Sequence, residues 1–510
     1  MTPIVTTSYG QLEGIAQGTS LVFRGIPFAS PPVGALRWRA PEPPMAWGGV
    51  HEATARSAIS PQIVNEALEN VLPTGDATEP QSEDCLYLNV YTPALDDGKR
   101  PTLVWIHGGA FTLGSGSSPM YDGTLLAERG DVVVVTVNYR LGALGFLQLP
   151  ETDDDSPHTN FGMLDQVAAL RWVQEEIAAF GGDPSNVTIF GESAGGMSVG
   201  SLMASPLATG LFHKAIPQSG AGHNALTPET ASGTAAKFAE LTGVDIDDRA
   251  GLEALSVDQI LAAQAVLEAT LMETIGAGEP TEMWAQPVID GHFLEELPVD
   301  AIRHGSARTV AVLIGTTAEE SGLFAGMAPS PPPDDETLEV MFEGRLGDGP
   351  VVAVNAIAAY RAAREANGER ASNQDLYVAV DTDFMFRIPA ERLAEAQAHQ
   401  GAPAFAYRLD YQSPALDGAL GACHALDIPF VFGTHSQMPT FAGSGPGPDR
   451  LAQQVMDAWL AFARTGNPST ETLPWPAYDT EQRQTMVLNV ESRVVSRPRE
   501  TERQCWEGRR

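Results

Sequence analysis

The chain has 510 residues, with 30 Lys and Arg against 65 Asp and Glu, so its formal net charge is -35. This balance disfavours binding to nucleic acids or to anionic membranes, because a phosphate-facing surface needs a stripe of basic side chains. Apolar residues make up 43% of the chain and charged residues 19%, which excludes an acidic disordered protein and is typical of a globular one.

The first predicted elements are short strands, and buried strands follow them. Residues 4–7, 11–16 and 20–24 are β-prone and are separated by turn residues, which predicts a small antiparallel sheet near the N-terminus. Residues 102–106 and 131–137 are apolar runs without polar alternation. Such runs are typical of central strands that are buried on both faces.

Helix and strand patterns then alternate. Residues 160–180 have apolar side chains at helical spacing and end at two glycines, which predicts a helix. Residues 186–190 predict a third buried strand, and a helical pattern begins at Ala194. This alternation predicts an α/β fold with a central, mostly parallel sheet flanked by helices.

The region 222–381 is rich in Ala and Glu and is mostly helical in pattern, with one strand pattern at residues 309–314. We expect it to form helical insertions over the end of the sheet that carries the active site. No repeat or flexible linker divides the chain, so we predict one domain over residues 1–510.

The strongest motif is Gly191-Glu192-Ser193-Ala194-Gly195, which lies between a predicted strand and a predicted helix. A serine on such a sharp turn has a strained backbone, and its hydroxyl stands clear at the carboxyl end of the sheet. We therefore predict Ser193 as a nucleophile. The pentapeptide alone leaves open a glycine-rich turn that contains a serine by chance.

The segment His107-Gly108-Gly109-Ala110-Phe111 follows the strand pattern at residues 103–106. Acyl transfer forms an oxyanion, which backbone N–H groups stabilise, and small residues let the main chain approach the substrate. We predict the N–H groups of Gly109, Ala110 and Ala194 as donors, with Gly108 supporting them. The alternative is an ordinary glycine-rich connection.

A nucleophilic serine needs a base and an acid that orients it, in the order Ser, acid, His for this type of turn. His424 lies on a loop that Gly421 begins, just before an apolar segment. Glu319 and Glu320 follow the strand pattern at residues 309–314, where a catalytic acid belongs. Position alone does not separate these two carboxylates.

The chain resembles the type B carboxylesterase family of α/β-hydrolases, nearest in pattern to the bacterial p-nitrobenzyl esterases and more distantly to the cholinesterases. The resemblance extends over nearly the whole chain and includes Phe23-Arg-Gly-Ile-Pro-Phe-Ala29, Ser82-Glu-Asp-Cys-Leu-Tyr-Leu-Asn-Val90, Asn138-Tyr-Arg-Leu-Gly142, Phe180-Gly-Gly-Asp-Pro184 and the loops of His107, Ser193, Glu320 and His424. It implies the α/β-hydrolase fold.

The resemblance also implies a catalytic triad of Ser193, His424 and Glu320. His424 would take the proton of Ser193 and return it to the leaving alcohol, while Glu320 holds the imidazole. The expected substrate is a small-molecule carboxylic ester of short to medium chain length, with no metal or cofactor. The same triad could serve amides, carbamates or thioesters. A non-catalytic, cholinesterase-like adhesion module is disfavoured because all the catalytic residues are present.

Other residues near these motifs have predicted supporting roles, some of them with an alternative. Ser219 matches a family position from which it would hydrogen-bond Glu320, and Glu192 could tune the site or make structural hydrogen bonds. Arg24 with Glu83 and Arg140 with Asp165 match the structural ion pairs of the family. Five apolar residues could line the substrate pocket or belong to the core: Phe111, Phe324, Met283, Trp284 and Phe384.

The chain also departs from the family pattern. Secreted relatives pair a cysteine with the position of Cys85, but Ser60 stands at the partner position here, and three cysteines cannot form a disulfide framework. Residues 65–83 contain no aromatic side chain to hold a choline group. Ser321 follows the acid, where the family usually has Gly. With no visible signal or membrane segment, we expect a cytoplasmic monomer or small homo-oligomer.

Overall fold

The computed structural model describes residues 2–72, 78–151, 157–276, 282–327 and 331–509. Parts of two predictions lie outside these residues. Residues 73–77 belong to the loop predicted to lack a choline site, and residues 277–281 and 328–330 belong to the predicted helical region.

The described residues contain fourteen strands. They are β1 (Ile4–Thr6), β2 (Gln11–Glu13), β3 (Ile15–Gln17), β4 (Ser20–Pro27), β5 (Val50–Glu52), β6 (Tyr87–Thr92), β7 (Arg100–Ile106), β8 (Val133–Val137), β9 (Gly182–Glu192), β10 (Lys214–Gln218), β11 (Ala311–Thr317), β12 (Ala404–Leu409), β13 (Thr485–Leu488) and β14 (Arg493–Val495).

Eleven of these strands form one sheet in the order β14-β13-β12-β11-β10-β9-β7-β8-β6-β4-β3. The strands from β8 to β13 pair in parallel, and antiparallel strands occupy both edges. This arrangement confirms the predicted mostly parallel sheet. Because parallel strands end at the same edge, the loops after β7, β9, β11 and β12 meet there.

The N-terminal strands differ in part from the prediction. The small sheet has the order β1-β2-β5, and β5 pairs in parallel with β2, so this sheet is mixed. The predicted strand at residues 11–16 is divided at Gly14, and β3 and β4 belong to the edge of the large sheet. The division arises because β3 must leave β2 to pair with β4.

Eighteen α-helices accompany these strands in the described residues. They are α1 (Glu66–Val71), α2 (Thr124–Gly130), α3 (Gly142–Phe146), α4 (Phe161–Glu176), α5 (Ala194–Ala204), α6 (Pro228–Thr242), α7 (Arg249–Glu253), α8 (Val257–Gly276), α9 (Pro298–Arg303), α10 (Gly322–Met327), α11 (Asp335–Leu346), α12 (Pro350–Ala366), α13 (Asn373–Thr382), α14 (Ile388–His399), α15 (Ile428–Val431), α16 (Pro439–Ala442), α17 (Pro446–Thr465) and α18 (Glu500–Gln504).

Apolar side chains cover both faces of the sheet. One face packs against α4 and α5, where Trp172 and Val199 are buried. The other face packs against α17, where Trp459 is fully buried. Burial on both faces explains why β7 and β8 are apolar without alternation. None of the helices within the described segments is both long and apolar enough to cross a bilayer.

Candidate active site

Ser193 lies on the turn between β9 and α5, with φ 57° and ψ -124°. Few side chains tolerate this backbone conformation, which is typical of functional turns. Glycine is required on both sides because β7 passes close by. A Cβ atom would lie 2.5 Å from Ile106 O at Gly191 and 2.0 Å from the same oxygen at Gly195. The turn therefore has the predicted strained geometry.

The His107 loop lies directly against this turn. A Cβ atom added at Gly108 would lie 3.1 Å from Ser193 Cβ, so the two loops are in contact. Gly109 has φ 110°, and a Cβ atom there would lie 2.1 Å from Leu113 O. No described residue accepts a hydrogen bond from the N–H of Gly109, Ala110 or Ala194. The three predicted donors are thus unused by the protein itself.

Gln62 holds the C-terminal end of the His107 loop, at Gly114. No sequence pattern predicted this role for Gln62. Its Nε2 donates to Gly114 O at 3.0 Å, and its Oε1 accepts from Gly114 N at 2.7 Å. The amide therefore pairs with the loop as a neighbouring strand would. His107 itself stacks on Tyr139, and burial lowers the pKa of its imidazole to about 4. The loop is thereby anchored at both ends.

Glu320 is fully buried on the loop after β11. Its Oε2 lies 2.7 Å from His424 Nδ1. Its Oε1 accepts hydrogen bonds from Ser219 Oγ at 2.6 Å and from Thr317 N at 2.7 Å. The predicted Ser219 hydrogen bond is therefore present, and the carboxylate is held by three donors.

Glu319 points away from the imidazole, which separates the two carboxylates that position alone left equivalent. Its Oε2 accepts from Ala422 N at 3.2 Å, and its Oε1 lies 3.4 Å from Arg364 Nη2. The two glutamates are adjacent in the turn after β11, and of the two only Glu320 contacts His424.

His424 is buried between two carboxylates. Its Nδ1 faces Glu320, while its Nε2 lies 3.1 Å from Glu192 Oε1, without the angular geometry of a hydrogen bond. The contacts of the described residues include no hydrogen bond between Ser193 Oγ and His424. Glu192 Oε1 is therefore the acidic oxygen next to Nε2 in this conformation.

The electrostatics of this cluster follow from burial and from close charges. Burial alone lowers the pKa of His424, but Glu192, Glu320 and Asp427 more than offset that effect and raise it to about 9. Burial raises the pKa of Glu192, and the neighbouring imidazole only partly opposes the change. The pair therefore binds protons more tightly than isolated side chains would.

Asp427 is a third buried carboxylate beside this cluster that the sequence reasoning missed. Its Oδ2 accepts hydrogen bonds from Gln218 Nε2 at 2.9 Å and from Tyr407 Oη at 2.7 Å. Burial raises the pKa of Asp427 to about 6. The sequence did contain one indication of this contact, because Asp427 lies only three residues after His424.

Phe324 and Phe386 form the aromatic surface next to the imidazole. Their ring centroids lie 5.2 Å and 4.8 Å from that of His424, and the two rings stack at 6.4 Å. Phe324 remains 42% exposed, as a residue that lines an open site should. Phe386 was not predicted; it lies in the π-helical turn Asp383–Arg387, a feature that local sequence patterns do not indicate.

The other four predicted pocket residues lie in hydrophobic clusters or pack against them. Phe111 is fully buried and packs on Phe146, so it belongs to the core and differs from the pocket expectation. Phe384 also differs, because it packs against Trp506, in a cluster separate from the main core. Trp284 is buried in the main core, and Met283 packs against that core while half-buried.

One predicted ion pair is confirmed and one is wrong. Arg140 and Asp165 form a buried bidentate pair with distances of 2.7 and 2.8 Å. Glu83 pairs with Arg37 rather than with Arg24. Arg24 instead donates to Gln17 at 2.7 Å. The reason is that Arg37 reaches Glu83 from a separate loop, a contact that motif proximity cannot reveal.

Cys85, Cys423 and Cys505 are free, and Ser60 hydrogen-bonds the thiol of Cys85. In the part of the chain that the structure describes, no group of three or more His, Cys, Asp or Glu side chains is arranged to hold a metal ion.

Comparison with known proteins assigns the chain to a family. It matches the model of the carboxylesterase family over residues 1–506. It is 41% identical to the para-nitrobenzyl esterase of Bacillus subtilis (strain 168) over 98% of each chain. It is 35% identical to the liver carboxylesterase of Sus scrofa over 94% of this chain and 88% of the other. A solved carboxylesterase structure from Geobacillus stearothermophilus superposes with a TM-score of 0.86 at 40% identity, covering 99% of this chain and 100% of that one. The predicted resemblance is confirmed, and the protein belongs to the carboxylesterase family of carboxylic ester hydrolases with the α/β-hydrolase fold.

Proposed function

We propose that the protein hydrolyses short- to medium-chain carboxylic esters with Ser193 as nucleophile, His424 as base and Glu320 as orienting acid. The observation that carries this proposal is the 2.7 Å contact between Glu320 Oε2 and His424 Nδ1, next to the strained turn of Ser193. The carboxylate fixes the tautomer that leaves Nε2 free to accept a proton.

In the first step Ser193 Oγ attacks the ester carbonyl carbon, and its proton passes to His424 Nε2. The carbonyl electron pair moves to the oxygen, which the N–H groups of Gly109, Ala110 and Ala194 stabilise. The bond to the alcohol oxygen then breaks, and that oxygen takes the proton from Nε2. Water repeats the sequence on the acyl-enzyme and restores Ser193.

The resting conformation requires one rearrangement before this chemistry. His424 Nε2 must exchange its contact with Glu192 for a hydrogen bond to Ser193 Oγ. We infer that a change in the side-chain torsion of the partly exposed Ser193 brings its hydroxyl to the imidazole. Catalytic hydrogen bonds often form fully only with substrate bound, so this geometry supports the same roles.

The chemistry around His424 favours uncharged esters. Phe324 and Phe386 present aromatic surface beside the base, which suits an alkyl or aryl group on the substrate. Residues 65–83 have no aromatic side chain for a cationic group. The net charge of -35 disfavours nucleic acids and anionic lipids as partners.

We also propose a cytoplasmic location. The support is that Cys85 is a free thiol hydrogen-bonded to Ser60, where secreted relatives carry a second cysteine. Buried free thiols are typical of proteins from reducing compartments.

Labelling with an organophosphate and measurement of turnover test the assignment. The label should attach to Ser193, and Ser193→Ala should lower kcat on p-nitrophenyl butyrate by about 10⁴-fold or more. Ser198→Ala is the matched control, because it removes a buried hydroxyl from α5 and should retain both label and turnover. Turnover of Ser193→Ala at the wild-type rate would contradict the proposal. A higher kcat/KM for a matched amide would exclude ester preference.

A further inference from the structure

Ser321, the residue after the candidate acid, connects the active-site loop to the helical region. Its Oγ donates to Asp381 Oδ2 at 2.8 Å. Both side chains are buried, with exposures of 1% and 7%. This hydrogen bond requires the hydroxyl of Ser321, and a glycine at this position could not make it.

The peptide unit between Glu320 and Ser321 is bonded on both sides. Its carbonyl oxygen accepts from the backbone N–H of His424 at 3.2 Å. Its N–H donates to Thr382 Oγ1, also at 3.2 Å. One rigid peptide plane thus joins the loop of the base to the end of α13.

The same end of α13 leads directly to the aromatic contact on the imidazole. After Thr382 the chain forms the turn Asp383–Arg387, which carries Phe386 to 4.8 Å from the His424 ring. Asp381 and Thr382 therefore hold the loop of Glu320. Five residues after Asp381, Phe386 of the same segment packs on the ring of His424. A shift of Asp381 would move both.

Asp381 is itself fixed by a charge from another helix. Its Oδ1 accepts from Arg345 Nε at 3.0 Å, and the guanidinium of Arg345 lies over the ring of Tyr377. Arg345 is only 7% exposed. A buried ion pair with such geometry is costly to break, so it fixes the position of the Asp381 carboxylate that Ser321 contacts.

We propose that Asp381 is a positioning residue that acts through Ser321 to orient Glu320 and His424. This inference rests on the proposed function of those two residues. Ser321 transmits the position of Asp381 to the peptide of Glu320, and the turn Asp383–Arg387 transmits it to the aromatic contact. Asp381 touches neither the imidazole nor the substrate in this scheme.

The first test is Ser321→Ala, which removes the hydroxyl and leaves the Asp381–Arg345 pair intact. The control is Ser469→Ala, which removes a hydroxyl that donates to Trp475 O at 2.8 Å, remote from the site. Rates on p-nitrophenyl butyrate are normalised to active sites titrated with organophosphate, so unfolded protein does not contribute. We expect Ser321→Ala to lower kcat about 10-fold with KM within about twofold, because misplaced catalytic groups lose rate rather than binding.

A second readout separates positioning from general stability. Weaker orientation of Glu320 should lower the acid-limb midpoint of kcat/KM in Ser321→Ala by several tenths of a pH unit, since Glu320 supports the protonated imidazole. The control should show no such change. A kcat and midpoint equal to those of the control would overturn the inference.

Asp381→Asn tests whether both residues act along one route. Asn keeps an oxygen that can accept from Ser321, so its kcat should exceed that of Asp381→Ala. The fall in kcat for Ser321→Ala combined with Asp381→Ala should be smaller than the product of the single falls. Multiplicative effects would overturn action through Ser321. Ser193→Ala tests the proposed function independently, because the activity of that variant does not depend on the results for the Ser321 and Asp381 variants.

Discussion

The contact between Glu192 and His424 predicts a specific change in the pH dependence of turnover. Glu192→Gln keeps the size of the side chain and removes its charge. At the 3.1 Å separation of Oε1 and Nε2, two full charges attract by about 5 kcal/mol at an effective dielectric constant of ~20. Because the raised pKa of Glu192 leaves it partly protonated, we expect less than this, about 1.4 to 3 kcal/mol.

The sign follows from the role of the imidazole. In the proposed mechanism His424 must be neutral to accept the proton of Ser193, so the acid limb of kcat/KM should report the pKa of His424 in the free enzyme. That pKa is raised to about 9, with Glu192 as the largest cause that raises it. Loss of the carboxylate should therefore move the limb about 1 to 2 pH units lower. The variant should therefore gain activity relative to the parent near pH 6, because a larger fraction of its imidazole is neutral there.

Initial rates with ethyl butyrate in a pH-stat from pH 5 to 10 measure this limb without the spontaneous hydrolysis of activated esters. Glu395→Gln is the matched control, since its carboxylate pairs with Arg483 at 3.1 Å outside the site. Its acid limb should coincide with that of the parent. An unchanged or higher midpoint in Glu192→Gln would refute the electrostatic coupling.

Three further predictions concern stability and the oxyanion loop. Because Ser60 contacts the thiol of Cys85, Ser60→Cys should form a disulfide with Cys85 on oxidation and raise the free energy of unfolding in urea by about 2 kcal/mol. If the thiols of residues 60 and 85 stayed titratable after oxidation, this prediction would be contradicted. Asp165→Ala should lower that free energy by about 3 to 5 kcal/mol, because Arg140 is left buried without its partner, and a loss below about 1 kcal/mol would argue against it. Gly109→Ala should lower kcat about 10²- to 10³-fold, since the added methyl has no room, and stopped-flow rates near the parent value would disprove the close approach.

Local patterns in the sequence were sufficient to predict the turn and the loop that form the candidate site. The steric demand of a serine between two small residues, after an apolar strand, predicts the turn of Ser193. The small residues after β7 predict a loop whose N–H groups are free, as observed for Gly109 and Ala110. Such features depend on neighbours within a few residues, so the sequence alone contains the information.

Contacts between distant segments were harder to predict. Glu83 bonds Arg37 across 46 residues, and Asp427 bonds Gln218 across 209 residues. No local pattern encodes which of several arginines reaches a given carboxylate, because the path of the intervening loops decides it. The position of His424 on its loop predicted the base, whereas only the family resemblance favoured Glu320 over Glu319.

The sequence by itself determined the α/β alternation, the strained turn of Ser193 and the family, because each depends on local sterics or on motifs that stay close in the chain. Only the tertiary structure decided that Glu192 stands next to Nε2 of His424, and that Phe386 packs on the imidazole while Phe111 packs on Phe146. These outcomes depend on how separate loops meet at one edge of the sheet, where side-chain direction and burial are set by the packed fold.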